Sequence, residues 1–165
     1  MELITLDDFC INEHPKVGTG TYYRVISFIA VLNDMIGQGV PLHMTHKKSG
    51  FRDWVYEKEK GRSAIGTHTF GQLAELEGVA TGLRQGQHLG AADITSPNLA
   101  KLAMMLVIAS PFRRICFYPD HAFFHVDYIE EPLFSGQKLY LATYNKKGQL
   151  IWNQTDYDTL MQAAL

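Results

Sequence analysis

Between residues 22 and 36 apolar side chains recur on nearly every side of a helical wheel (Val25, Ile26, Phe28, Ile29, Val31, Leu32, Met35), which predicts a helix central to a core. Gly37-Gln38-Gly39 ends it. Ahead of it, Thr5-Leu6-Asp7-Asp8 has the form of a helix cap followed by acidic first-turn residues, with Phe9 to pack the short helix down. Behind it, residues 40–45 alternate weakly and predict a strand leading to Ser49-Gly50-Phe51-Arg52, and the charged stretch 53–60 predicts a surface helix or loop. Thr67-His68-Thr69-Phe70-Gly71 then opens a glycine-bearing loop that runs to Gln87. Ser96-Pro97 predicts a cap with proline at the first helical position, for a helix whose buried face is Leu99, Leu102, Ala103 and Leu106.

The second half of the chain reads mainly as strands. Residues 113–118 are β-prone, Pro119-Asp120-His121 is a turn, and residues 123–128 follow as the antiparallel partner. A last hairpin, 139–144 with 149–152 around Asn145-Lys146-Lys147-Gly148, precedes a short helix starting near Asp156. Helices followed by a mainly antiparallel set of strands with one helix inserted predict an α+β fold, one sheet packed against helices. At 165 residues, with no repeat or linker, the chain is expected to form one domain spanning 1–165 and to bury roughly 70% of its unfolded surface.

Charge and cysteine usage narrow the function. With 15 basic against 17 acidic residues and no long Lys/Arg run, nothing here would neutralise a phosphate backbone, so nucleic acid is not an expected partner. Cys10 and Cys116 make no CxxC spacing and read as reduced, partly buried thiols. Glu2, Asp7 and Asp8 precede any long apolar run, the reverse of a secretory leader, and no apolar stretch reaches the length of a membrane span. Synthesis in a cytoplasm without a signal peptide, and no membrane partner, are expected.

The candidate chemistry centres on Phe123-Phe124-His125-Val126-Asp127-Tyr128. In a strand His125 and Asp127 share a face, an unusual pair among aromatic and β-branched neighbours. The ordinary reading is a half-buried strand with a polar side; the sharper one is a metal site, with imidazole as ligand and the carboxylate as a ligand or as its hydrogen-bond partner. Thr67-His68 and Gly90-Ala91-Ala92-Asp93 supply the rest of a set, since catalytic zinc takes three N/O ligands and leaves one position open. Arg52 ends a predicted strand, where its guanidinium could pair in an ordinary ion pair or grip a carboxylate. His14, His43 and His46 read as surface or strand histidines.

Ser49-Gly50-Phe51-Arg52, Thr67-His68-Thr69-Phe70, Gly90-Ala91-Ala92-Asp93-Ile94 and Phe124-His125-Val126-Asp127, in this order, resemble the motifs of the zinc peptidases of bacterial cell-wall peptides. That family includes D-Ala-D-Ala carboxypeptidases and dipeptidases and phage L-alanyl-D-glutamate endolysins, and shares its fold with the Hedgehog signalling domain. Arg113 to Pro119 also looks like its phage-encoded branch. The resemblance implies a Hedgehog/DD-peptidase-like domain hydrolysing peptidoglycan peptides, with zinc held by His68, Asp93 and His125; a monomer is expected. It implies Arg52 for a substrate carboxylate and Asp120 or His121 as general base, with Asp127 as an alternative base or as the acceptor that orients His125. A phage origin would make it a lysis or virion-associated protein.

The chain departs from the pattern by an insertion between His68 and Asp93, for which a lid over the cleft is one role. That insertion carries His88, an alternative to His68, while His68 to Glu75 reproduces the family's compact spacing with Glu in place of Asp. The His-x-His form of the site is absent, because Phe123 stands two before His125. The rival expectation is a non-catalytic virion or regulatory binding module that keeps the fold.

Overall fold

The segment 123–127 is the centre of the sheet. β4 (Phe123–Asp127) lies between β2 (Ala91–Thr95) and β3 (Arg114–Tyr118), antiparallel to both. The short β1 (His43–Met44) adds to β2, while β5 (Lys138–Tyr144) runs parallel to β3 and pairs with β6 (Leu150–Thr155) as a hairpin. The strand order is β1-β2-β4-β3-β5-β6, a six-stranded, mostly antiparallel sheet in an α+β domain. This computed structural model describes residues 2–45, 49–64, 66–77, 90–128 and 136–165; His46, His88 and the part of the insertion from residue 78 onwards lie outside them.

Alternation along the strands gives the sheet two chemically different faces. Ala92, Ile94, Ile115, Phe117, Phe124 and Val126 point one way and are fully buried or nearly so. They share a core with Val25, Phe28 and Leu32 of α2 (Gly20–Gly37), Leu102 and Leu106 of α5 (Leu99–Ala109), and Leu160 of α6 (Tyr157–Ala164). The residues between them, Asp93, Arg114, Tyr118, Phe123, His125 and Asp127, therefore occupy the opposite face.

Three expectations change. The helix read as apolar all round is one-sided: Val25, Phe28, Ile29, Leu32, Met35 and Ile36 are buried, whereas Ser27, Ala30 and Asp34 are exposed, because a helix laid on a sheet has only one covered side. The strand expected over 40–45 shortens to His43–Met44; Val40 and Leu42 turn into the core, and Pro41 has no N–H for a ladder. The helix after Ser96-Pro97 begins at Leu99, with Asn98 rather than Ser96 as its cap: Asn98 Oδ1 accepts from the Lys101 amide at 2.9 Å, and Ser96 Oγ accepts from the Asn98 amide at 3.0 Å. The charged stretch 53–60 resolves as a helix, α3 (Trp54–Glu59), and Thr5 with Asp8 forms a capping box on α1 (Leu6–Phe9).

Packing beneath the site is aromatic. Phe70 ends the 3-10 turn Thr67–Thr69 in a left-handed conformation (φ 53°), which a bulky residue adopts only when its surroundings hold it. Its ring is fully buried against Phe9, Phe28 and Phe51, with centroids 5.5–6.0 Å away. Gly90 gives that ring its space: its φ is +101°, and a Cβ placed there would stand 2.0 Å from Phe70 Cε1. Gly90→Ala is accordingly expected to cost about 2–5 kcal/mol, overpacking and backbone strain together, read as a lowered midpoint in urea unfolding. An unchanged midpoint would contradict this packing.

A second tether fixes the start of α2. Glu75, on α4 (Gln72–Glu77), accepts from the Thr21 amide at 2.7 Å and the Thr21 hydroxyl at 2.6 Å, and pairs with Arg24 at 2.9 Å. Arg24 Nε in turn donates to the Phe70 carbonyl at 2.8 Å. Glu75 thus caps a helix N-terminus, where a carboxylate is favoured, and its pKa is lowered there by these hydrogen bonds against the opposing effect of burial.

Candidate metal centre

Three segments converge on one point of the sheet's polar face. Asp93 and His125 are direct cross-strand partners in the β2–β4 ladder, and His68 reaches them from the 3-10 turn beside β2. Asp93 Oδ1 lies 2.9 Å from His125 Nδ1 and 3.5 Å from His68 Nε2. One donor atom from each residue falls within 4.8 Å of the others, the one His/Cys/Asp/Glu cluster of this kind among the described residues. For zinc with bonds of ~2.0–2.1 Å, donors at tetrahedral corners are ~3.4 Å apart, so this donor set fits a single ion with little adjustment. His68, Asp93 and His125, expected from the sequence as ligands, are brought together; the metal's identity is a separate matter.

Hydrogen bonds behind the histidines leave one nitrogen of each facing the cluster. His68 Nδ1 is 2.8 Å from the Gly50 carbonyl, which can only accept, so that nitrogen carries the proton and Nε2 presents a lone pair. His125 Nε2 is 3.0 Å from Asp127 Oδ2, which assigns Nδ1 to the cluster by the same reasoning. Asp127 is fully buried, and Arg114 donates to it through Nε at 2.9 Å to Oδ2 and 3.2 Å to Oδ1. This is the carboxylate–imidazole arrangement that orients metal-binding histidines. Asp127 therefore acts through His125.

Asp93 is fixed just as firmly. Its amide donates to the Ser49 carbonyl at 3.2 Å, its carbonyl accepts from Ser49 Oγ at 2.8 Å, and Arg52 donates to its Oδ2 at 2.7 Å. Arg52, expected to grip a substrate carboxylate, is here the partner of Asp93; its buried Nε has no hydrogen-bond partner among the described residues. The Ser-Gly-Phe-Arg segment thus holds two of the three candidate ligands, through the Ser49 and Arg52 bonds to Asp93 and the Gly50 bond to His68.

The charges follow from these contacts. Burial drives the His68 pKa below its ordinary value, so the ring is neutral near pH 7. Burial opposes charge on Asp93, but the imidazoles of His68 and His125 outweigh it and hold the carboxyl well below the usual range. Burial also opposes charge on His125, yet hydrogen bonds to Asp127 and Asp93 push it up to about 9. The metal-free ring is therefore protonated at neutral pH. Its pKa is raised above the ordinary value of 6.5, so the stability this adds to the metal-free fold is complete below pH 6.5 and is lost as pH rises through about 9. A metal ion must displace that proton: affinity is expected to rise about tenfold per pH unit up to about 9, with close to one proton released at pH 7. Calorimetry in buffers of different ionisation enthalpy measures the release, and a proton count near zero would refute this protonation state.

A cleft of about 430 Å³ adjoins the cluster on the same face, lined by Thr45, Thr95, Tyr118, His121, Ala122, Phe123 and Tyr144. Thr95 follows Asp93 by two residues on β2 and Phe123 precedes His125 by two on β4, so the cleft begins one step along the sheet from the ligands. Of the two residues expected as base, His121 lines this cleft, with Nε2 3.2 Å from the Tyr144 hydroxyl, whereas Asp120 is exposed on the turn Pro119–His121 and is not among the lining residues. Glu75 is engaged at the start of α2, His14 pairs with Asp7 at the surface, and His43 is exposed on β1.

Trp152, Arg114 and Tyr118 also belong to the site, outside the residues expected from the motifs. Trp152 on β6 is paired with Ala142 on β5, and that small neighbour leaves the indole room to reach across the sheet. Its ring centroid is 5.2 Å from that of His125, Arg114 lies over the ring at 4.8 Å, and Nε1 donates to Tyr118 Oη at 2.8 Å. Two-residue parity with His125 through the β3–β4 register would have marked Arg114 and Tyr118. No sequence pattern marks Trp152, which lies two strands further out.

No helix among the described residues is long and apolar enough to cross a membrane. Compared with known proteins, the chain matches no family model, no curated protein and no solved structure.

Proposed function

We propose that this protein is a zinc-dependent peptidase that hydrolyses peptide bonds in bacterial cell-wall peptides. The observation that carries the reading is the donor cluster itself: His68 Nε2, Asp93 Oδ1 and His125 Nδ1 face one point, and the Gly50 carbonyl and Asp127 fix the tautomer each imidazole needs. The motif resemblance supplies the substrate class. Zinc held there would supply an activated water and a polarising charge for the scissile carbonyl. Asp127 and Arg114 keep His125 in its ligating orientation, and Arg52 holds the second oxygen of Asp93. His121, at the wall of the cleft, would take a proton and return it to the leaving amine. The remaining donors of Arg52 would meet a substrate carboxylate. A phage lysis or virion-associated role accords with the motif resemblance.

The test is metal content together with cleavage of purified peptidoglycan. One equivalent of zinc and release of new amino termini, abolished by a chelator and restored by zinc, are the expected results. One observation favours the alternative, a binding module that keeps the metal without turnover: Asp120, the carboxylate nearest in sequence before His125, does not line the cleft. Tight zinc and retained wall binding with no new termini would establish that alternative and remove the peptidase reading.

A further inference from the structure

Tyr118 stands out among the residues of the cleft wall because half of its hydrogen-bonding capacity is accounted for and the other half is not. It projects from β3 onto the polar face, one two-residue step from Cys116, the cross-strand partner of His125. Its ring is stacked on Phe123 with centroids 4.3 Å apart and planes 12° from parallel, so the phenol has a fixed direction. Oη accepts the Trp152 indole N–H at 2.8 Å. A phenol has one proton to give, and among the described residues no acceptor receives it. Burial raises the pKa of the group above its ordinary value, with the charge on Asp93 acting in the same sense, so the proton stays on the oxygen.

Resting on the peptidase reading above, we propose that Tyr118 is a catalytic hydrogen-bond donor: its O–H, aimed by Trp152 and Phe123, donates to the carbonyl oxygen of the scissile peptide in the cleft as negative charge builds on that oxygen. No proton is transferred; the phenol stays neutral and the bond strengthens as the carbonyl carbon becomes tetrahedral. Donors fixed before the reaction act this way because they need no reorganisation when charge appears. The Trp152 bond contributes by occupying the phenol's acceptor side, which leaves donation as the group's available polar contact with a substrate.

Tyr118→Phe keeps the ring and its stacking and removes only the hydroxyl. On purified peptidoglycan fragments, kcat is expected to fall on the order of 10²- to 10³-fold with KM changed less than about threefold. Zinc content should stay at the wild-type value. Binding of a phosphinate dipeptide, whose tetrahedral anionic centre mimics the reacting carbonyl, should weaken by a comparable factor in calorimetry. Tyr157→Phe, which removes an exposed phenol of α6 that does not line the cleft, should leave kcat within about threefold. A Tyr118→Phe protein with wild-type kcat and phosphinate affinity overturns the assignment of Tyr118 while leaving the peptidase reading intact. A wild-type protein that neither cleaves the fragments nor binds the phosphinate overturns both.

Discussion

Asp93→Asn is expected to reduce bound zinc from one equivalent to an undetectable level after dialysis, and to abolish any metal-dependent cleavage. Asp93 Oδ1 is the atom common to both short contacts of the cluster, 2.9 Å from His125 and 3.5 Å from His68, so its loss removes a ligand and the anion that balances the ion's charge. The amide keeps the shape of the side chain and a carbonyl oxygen for Arg52, which should preserve the fold. Asp93→Ala removes that oxygen as well and leaves Arg52, 18% exposed, without the carboxylate it pairs with; a stability loss of about 3–5 kcal/mol is expected from breaking a largely buried pair. Metal analysis and urea unfolding separate the two effects. An Asp93→Asn protein that still holds one equivalent of zinc through dialysis would show that the cluster is not the metal site.

The second large effect is expected at a residue that touches no metal. In Asp127→Asn, the amide nitrogen can donate to His125 Nε2, which moves the ring's remaining proton to Nδ1, the nitrogen that faces Asp93. Zinc affinity should fall about 10- to 100-fold, the usual cost of losing a carboxylate behind a ligating imidazole. The His125 pKa should drop from about 9 toward its ordinary value, because the largest of the effects raising it is the hydrogen bond to Asp127. Chelator competition gives the affinity and an NMR titration of the imidazole gives the pKa. Were both to match wild type, the tautomer of His125 would be set by some other group. Conversely, loss of affinity with an unmoved pKa would point to a shift in ring position.

The sequence made the centre of this molecule legible and its periphery much less so. Strands β3 and β4, the hairpin of β5 and β6 and the last helix are local patterns, and period two alone placed His125 and Asp127 on one face. His68 and Asp93 follow from the order of the motifs, whereas the strand Ala91–Thr95 and the register that joins Asp93 to His125 are no part of that expectation. What escaped depends on contacts between distant segments. Pro41 and the core-seeking Val40 and Leu42 cut short a strand that local alternation favoured, and Asn98 outcompeted Ser96 as a cap because the chain turns between them. Arg52 is expected to meet a carboxylate, in an ion pair or on the substrate, and that its partner is Asp93 depends on the fold. Trp152 is the furthest such case, since its reach over Ala142 depends on the strand order β3-β5-β6.

The direct pairing of Asp93 with His125 has one more consequence, for how the chain finds its fold. Sliding β2 by one position along β4 would turn Asp93 into the apolar interior and bring Ile94 out beside the imidazole. Coordination would thus act as a proofreading signal: an ion captured by both strands would stabilise only the correctly aligned ladder, by an amount that grows with its free concentration. Metal supplied during refolding should then raise the yield of native molecules relative to metal supplied afterwards.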